Sequence, residues 1–256
     1  MKLQSWVVIF VLGMIAAGAG IAAHKTGFDI LRRAGLVEQS RLTAGAYRPG
    51  DPVFIRIFKR ENELELWHRS ADRQWHLAKT YAICRWSGAL GPKLREGDRQ
   101  SPEGFYEVST RSLNPQSSYH LSFNLGFPNA LDRSLGRSGS FLMVHGACVS
   151  IGCYAMTDAG IEEIYAAVEA SLQSPTGQDF VPVHIFPWRF AEGEPENPAS
   201  DETRDFWANL RQGYDRFEQS RKPFDVFARD GLYTFDDMQG AAPVSRVGLK
   251  STPSTG

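Results

Sequence analysis

From Pro52 onward the chain alternates apolar and polar positions with a period of two. Val53, Ile55 and Ile57 share one parity, Lys59 to Asn62 make a polar turn, and Leu64 and Leu66 alternate with Glu63 and Glu65. Successive strand side chains point to opposite faces, so this pattern predicts a β-hairpin. Trp75–Cys84 adds a third strand and Phe105–Thr110 a fourth. In Ser118–Asn124, Tyr119, Leu121 and Phe123 fall on one face, with Ser118, His120, Ser122 and Asn124 on the other. The apolar run Ser140–His145 predicts a buried strand ending at His145 and Gly146. Between these runs, 87–102 and 126–139 are rich in turn residues and predict long loops, which in compact domains often carry function.

After Cys153 the period lengthens. Ile161, Ile164, Tyr165, Val168 and Leu172 follow helical spacing, with Thr157 or Asp158 as the N-cap. Val181–Phe186 returns to strand. Residues 192–205 are acidic, with Glu192, Glu194, Glu196, Asp201, Glu202 and Asp205 facing only Arg204, and predict a solvated loop. Phe206, Leu210, Tyr214 and Phe217 then form a helical stripe, with Trp207 beside it, expected to pack into the core. The predicted fold class is mainly β with helices: twisted, mostly antiparallel sheets with the 158–172 helix packed against them and a 201–220 helix as a cover.

Composition narrows the function. The chain has 256 residues, 28 basic against 29 acidic, and a net charge of −1. No basic excess exists to neutralise a phosphate backbone, which argues against a nucleic-acid partner. Ser5–Ala23 is uncharged and, as a helix, would span roughly 28 Å at about 1.5 Å per residue. Residues 1–24 therefore read as a cleaved signal peptide or a membrane anchor, and 25–50 as a connector. The main domain is expected over 51–190, the acidic loop and helical extension over 191–237, and a disordered tail over 238–256.

Three cysteines, at 84, 148 and 153, are too few for a disulfide scaffold or a four-cysteine metal cage. The informative stretch is His145–Met156. A histidine closes a strand, Cys153 follows eight residues later past Gly146 and Gly152, and a helix begins soon after. An imidazole can take the proton of a thiol, whose thiolate is the nucleophile. Gly152 would let a backbone N–H approach an oxyanion. Two other chemistries stay open on the residues alone: a Cys148–Cys153 disulfide, or a zinc site using both with His120 and His145.

These residues resemble the YkuD-type L,D-transpeptidase catalytic domain, whose pattern is His-Gly followed by Ser/Thr-His-Gly-Cys. His145-Gly146 and Ser150-Ile151-Gly152-Cys153 carry the match. Blocks at Leu90–Asp98, Ser101–Tyr106, Asn114–Pro115, Tyr119–Ser122, Gly126–Asn129, Met143–Gly146, Cys153–Asp158 and Val183–Pro187 extend the similarity to the YafK-like branch. The resemblance implies an L,D-transpeptidase-like β-sandwich. It also implies a cofactor- and metal-free acyl transfer on peptidoglycan stem peptides, in the periplasm or cell envelope. Cys153 would be the nucleophile and His145 the general base. Gly152 would supply the oxyanion amide and Ser150 support the loop. Release of wall-linked lipoprotein or D-alanine by hydrolysis is the alternative outcome, and a non-catalytic wall-binding module the lesser one. Three departures stand out: Ile151 replaces the family's histidine, the His-to-Cys spacing is short, and Ala155 replaces its arginine. Substrate contacts are therefore expected from Lys93, Arg133, Arg137, His120 and Tyr154. Cys84 and Cys148 are left to pair or to stay separate, and neither outcome is expected to touch the reaction.

Overall fold

A computed structural model of the chain describes residues 47–193, 200–235 and 242–244. The predicted leader and nearly all of the connector lie outside them. Twelve strands and three α-helices occur among the described residues. The first sheet has the order β3-β2-β1-β9-β4, from β1 (Val53–Phe58), β2 (Glu63–Arg69), β3 (Trp75–Ala82), β4 (Gly104–Val108) and β9 (Val181–Phe186). The second has the order β5-β6-β7-β8, from β5 (Leu113–Asn114), β6 (Ser122–Asn124), β7 (Met143–His145) and β8 (Tyr154–Ala155). A small third sheet joins β10 (Phe227–Arg229), β11 (Leu232–Thr234) and β12 (Ala242–Pro243). The helices are α1 (Ala130–Ser134), α2 (Asp158–Gln173) and α3 (Asp201–Ser220). Mainly β with helices is the observed class. The pairs β1/β9 and β7/β8 are parallel, the other ladders antiparallel.

The hairpin β1/β2 forms in the predicted register, with Ile55 opposite Leu66 and Ile57 opposite Leu64. Yet all six β1 residues are buried, not one parity alone. Helices account for this. α2 packs against β1 and β9 of the first sheet and against β6 and β7 of the second. α3 covers the Phe54/Arg56/Phe58 face of β1: Phe54 meets Phe217, and Phe58 meets Tyr214. The stripe Phe206, Leu210, Tyr214 and Phe217 is buried as its spacing predicts. Its helix is capped by Ser200, whose side chain accepts the Thr203 N–H. Arg56, on the same face, donates to Glu218 at 2.7 Å and lies 4.5 Å from the Phe217 ring centroid.

Three expectations need correcting. The strand predicted from Ser118 begins only at Ser122, because residues 118–121 form a turn in which His120 has a φ of 71°. The loop 126–139 contains α1, which Asn129 caps by accepting the Asp132 N–H. Strand β12 lies within the stretch expected to be a disordered tail, where Ala228 pairs with Ala242.

Lys59 departs furthest from its expected place in a polar turn. Its side chain is wholly buried, and its Nζ donates to Glu103 Oε1 at 2.9 Å and to the carbonyls of Ala89, Gly91 and Ser101 at 2.8, 3.2 and 3.1 Å. Glu103 Oε1 also accepts the Gly91 N–H at 2.7 Å, and its Oε2 accepts Trp207 Nε1–H from α3 at 2.7 Å. One ion pair thus anchors the 87–102 loop to the first sheet and to α3. Removing one partner of a buried pair strands the other charge, at a cost of roughly 3–5 kcal/mol. Lys59→Ala is expected to lower the unfolding free energy by about that much in denaturant titration, several times the loss from exposed Arg211→Ala.

Candidate active site

Strands β7 and β8 place His145 and Cys153 on neighbouring segments of the second sheet. In this parallel pair Val144 lies opposite Tyr154 and His145 opposite Ala155. Cys153 is two residues before Ala155, so it shares the strand face of His145 and lies diagonally from it. The two residues are eight apart in sequence, and Cys153 immediately precedes the strand that pairs with β7.

His145 is buried at the end of β7. Its Nδ1 is 2.6 Å from the Gly146 carbonyl oxygen, which can only accept, so Nδ1 carries the proton and Nε2 keeps its lone pair. The Tyr119 ring lies against the imidazole with centroids 4.8 Å apart. Burial lowers the His145 pKa below its ordinary value, and the bond to Gly146 partly opposes this. Neutral imidazole is therefore the resting form at neutral pH, as a general base requires.

Cys153 is the one free cysteine among the described residues. Its thiol donates to the Phe141 carbonyl at 3.4 Å. Burial raises its pKa, while the Met143 backbone N–H and the charge of Lys93 pull it back toward the thiolate. The β6/β7 pairing explains the Met143 contact. Leu125 N–H bonds to Leu142 O, which makes Asn124 and Met143 a non-hydrogen-bonded pair and turns the Met143 N–H away from β6, toward β8. Burial thus favours the uncharged form of each group, a thiol on Cys153 and a neutral imidazole on His145.

The segment around Cys153 is held by hydroxyls. The Cys153 carbonyl accepts Ser150 Oγ–H at 2.7 Å and Ser101 Oγ–H at 3.1 Å. Ser150 Oγ also accepts the Gly152 N–H at 3.2 Å. Ser150 thus holds the loop through the Cys153 carbonyl and the Gly152 amide. Gly152 does not stand as expected: its N–H is taken by Ser150 instead of being free for an oxyanion. Glycine is required there because φ is +143°, and a Cβ would approach Leu142 Cδ1 at 3.2 Å.

The predicted substrate contacts divide. Tyr154 is fully buried and its hydroxyl donates to Pro102 O at 2.7 Å, so it is a core residue, not a substrate contact. Arg137 is buried too: it donates to Asp132 Oδ1 at 3.1 Å and stacks over Phe206 at 4.5 Å. Arg133 is exposed, donates to Pro128 O, and lines a cavity of about 230 Å³ with Glu107, Ser109 and Phe180 that does not reach Cys153. Lys93 is buried and bound to Asp98 Oδ1 at 2.5 Å and Arg95 O at 3.0 Å, yet its charge still acts on Cys153. His120 is exposed beside Tyr119 and pairs with Glu162 Oε1 at 2.7 Å.

The cysteine alternatives also resolve. Cys84 and Cys148 form a disulfide, with Cα atoms 5.2 Å apart. Cys148 is therefore neither the partner of Cys153 nor a thiolate ligand for zinc. Sequence reasoning missed Ser101, Tyr119 and Met143, which act through a neighbour's carbonyl, a ring face and a backbone amide.

A family model for the YkuD L,D-transpeptidase catalytic domain matches residues 54–185, a span that contains both His145 and Cys153. The chain belongs to this family. It is 48% identical over 184 residues to "Putative L,D-transpeptidase YafK" of Escherichia coli K12, covering 72% of this chain and 74% of that protein. Among solved structures it is similar to the helical cell shape determining protein Pgp2 of Campylobacter jejuni, at 21% identity and a TM-score of 0.44, covering 72% of this chain and 62% of that one. Bd1075 of Bdellovibrio bacteriovorus is 21% identical with a TM-score of 0.37, covering 71% and 60%. The chain spans about three-fifths of each of these two.

Two measurements check the site. Alkylation of Cys153 by iodoacetamide is expected to rise with pH to a midpoint above the ordinary cysteine value of about 8.5, since burial disfavours the thiolate. Gly146→Ala is expected to cost at least tenfold in turnover, because its Cβ would meet Asp158 Oδ1 at 2.6 Å and Tyr119 O at 3.0 Å.

Proposed function

We propose that the protein is a cysteine-dependent peptidoglycan L,D-transpeptidase, with Cys153 acylated by the meso-diaminopimelate stem peptide. The observation that carries this is His145 paired with Ala155, two residues after Cys153, with its Nδ1–H held by Gly146 O.

The thiol leaves Phe141 O, and its proton passes to His145 Nε2. The sulfur attacks the carbonyl that follows the L-centre of diaminopimelate, and the C=O electron pair moves to oxygen. The C–N bond then breaks, His145 returns the proton to the leaving amine, and a thioester remains. An amine acceptor attacks the thioester, forms a new amide and frees the thiol. Water at the same step gives hydrolysis, with release of D-alanine or of a wall-linked lipoprotein. Catalysis sits with residues of this chain, and no step calls for a cofactor.

The location proposed is the periplasm or cell envelope. The uncharged Ser5–Ala23 segment supports it, as a signal peptide or inner-membrane anchor, and so does the Cys84–Cys148 bond, since disulfides persist in oxidising compartments.

Wall sacculi incubated with the full chain, digested and weighed by mass spectrometry test the reading. New 3→3 cross-links are expected. Trimmed tetrapeptides alone would replace transpeptidation with hydrolysis. Cys153→Ala is expected to lose at least 10³-fold in either product, and unchanged products in that variant would overturn the nucleophile.

A further inference from the structure

The turn that follows His145 is held in a conformation its residues do not favour. Ala147 has a φ of +66° and Cys148 a φ of +49°, two consecutive non-glycine residues in the left-handed region. Such backbone is sparsely populated and persists where the surroundings over-determine it. Here the surroundings can be named. Asp158, the first residue of α2, accepts the Ala147 N–H through Oδ1 at 2.8 Å. The Cys148 N–H donates to Met156 O at 3.3 Å, and its sulfur is bonded to Cys84. Cys84 is itself fixed, with its N–H on Ala155 O at 2.9 Å. Immediately upstream, the Gly146 N–H is shared between Tyr119 O and Leu121 O at 3.0 and 3.3 Å.

Asp158 does not serve α2 as its cap. Thr157 does that, by accepting the Gly160 N–H. The Asp158 carboxylate is turned back instead onto the turn, where it lies against Gly146 as well, since a Cβ there would sit 2.6 Å from Oδ1. The disulfide reaches the same turn from the end of β3. Both tethers therefore act on the peptide next to Gly146, and the Gly146 carbonyl is the group that holds His145 Nδ1–H.

We infer that Asp158 and the Cys84–Cys148 disulfide are positioning elements for His145. They keep the 146–148 turn left-handed, so that Gly146 O stays on Nδ1 and Nε2 stays free to accept the thiol proton. This rests on the reading of His145 as the base. It also revises the expectation that the disulfide does not touch the reaction. Without either tether, Ala147 and Cys148 relax toward negative φ and the Gly146 carbonyl turns away. The imidazole then loses the bond that selects its tautomer. The groups around the ring are Tyr119, the Gly146 carbonyl and, across the turn, Asp158; Cys153 lies just before the paired strand.

The test compares the wild-type chain, Asp158→Asn, Asp158→Ala and wild type treated with dithiothreitol. In the last, the disulfide takes up two electrons and two protons to become two thiols, and the reagent leaves as its cyclic disulfide. The tautomer is read by ¹H–¹⁵N NMR of the His145 ring, assigned as the signal lost in His145→Gln. Thermal melting confirms that each form is folded. Wild type and Asp158→Asn, which keeps the Oδ1 acceptor, are expected to show Nδ1–H and turnover within about threefold of each other. Asp158→Ala and the reduced chain are expected to gain Nε2–H and to lose about tenfold in kcat with KM within twofold, as befits a group that acts on the base and not on substrate binding. If Asp158→Ala does not fold, the reduced wild-type chain decides the matter. Retention of Nδ1–H in a folded, untethered form overturns the inference. The ring signal needs no substrate, so it stands apart from any failure of the transpeptidase assay.

Discussion

The Lys59–Glu103 ion pair is the constraint on which the site depends. It ends β1, starts β4, and closes the 87–102 loop between them. A charge pair inside a protein is tolerable only when its remaining donors and acceptors are also satisfied. Lys59 meets that condition with three loop carbonyls, and Glu103 with the Gly91 amide and the Trp207 indole. The loop can therefore take one path. Along that path Ser101 reaches the Cys153 carbonyl and Pro102 receives the Tyr154 hydroxyl. The Cys153 backbone is thus anchored to the far end of β1 through two short steps.

The electrostatics of the pair follow from burial. Desolvation disfavours charge on both groups: it lowers His145 and raises Cys153. A site built this way rests neutral and creates charge only as the proton moves. In the mechanism proposed above, a Cys153 thiolate would form beside the Met143 amide and within the field of Lys93, so its charge would meet fixed dipoles. Orientation of the His145 ring is a separate task. A backbone carbonyl performs it, and a carbonyl is only as well placed as the turn that bears it.

Much of this was legible in the chain. The period-two run at 53–66, the helical run at 161–172 and the Phe206/Leu210/Tyr214/Phe217 stripe all formed where their spacing placed them. His145 and Cys153 stood out because glycines and a strand end surround them. The substrate contacts read less well. Arg137 and Lys93 looked like free cations on loops, but each meets a carboxylate close in sequence, Asp132 and Asp98, and folds inward. Tyr154, next to the nucleophile, points away from it because strand side chains alternate. Gly152 has the conformation that only glycine adopts easily, but its amide answers Ser150.

The sequence by itself determined the longer strands and helices, and which histidine and cysteine are candidates for chemistry. Those properties depend on neighbours within a few residues, where periodicity and glycine placement leave a local trace. Only the tertiary structure decided that Lys59 is buried, that Cys84 reaches Cys148, and that Asp158 turns back to Ala147. Each of these joins residues 11 to 64 positions apart. Their partners are chosen by how the sheets and α2 pack, and packing leaves no mark on the local pattern of either partner.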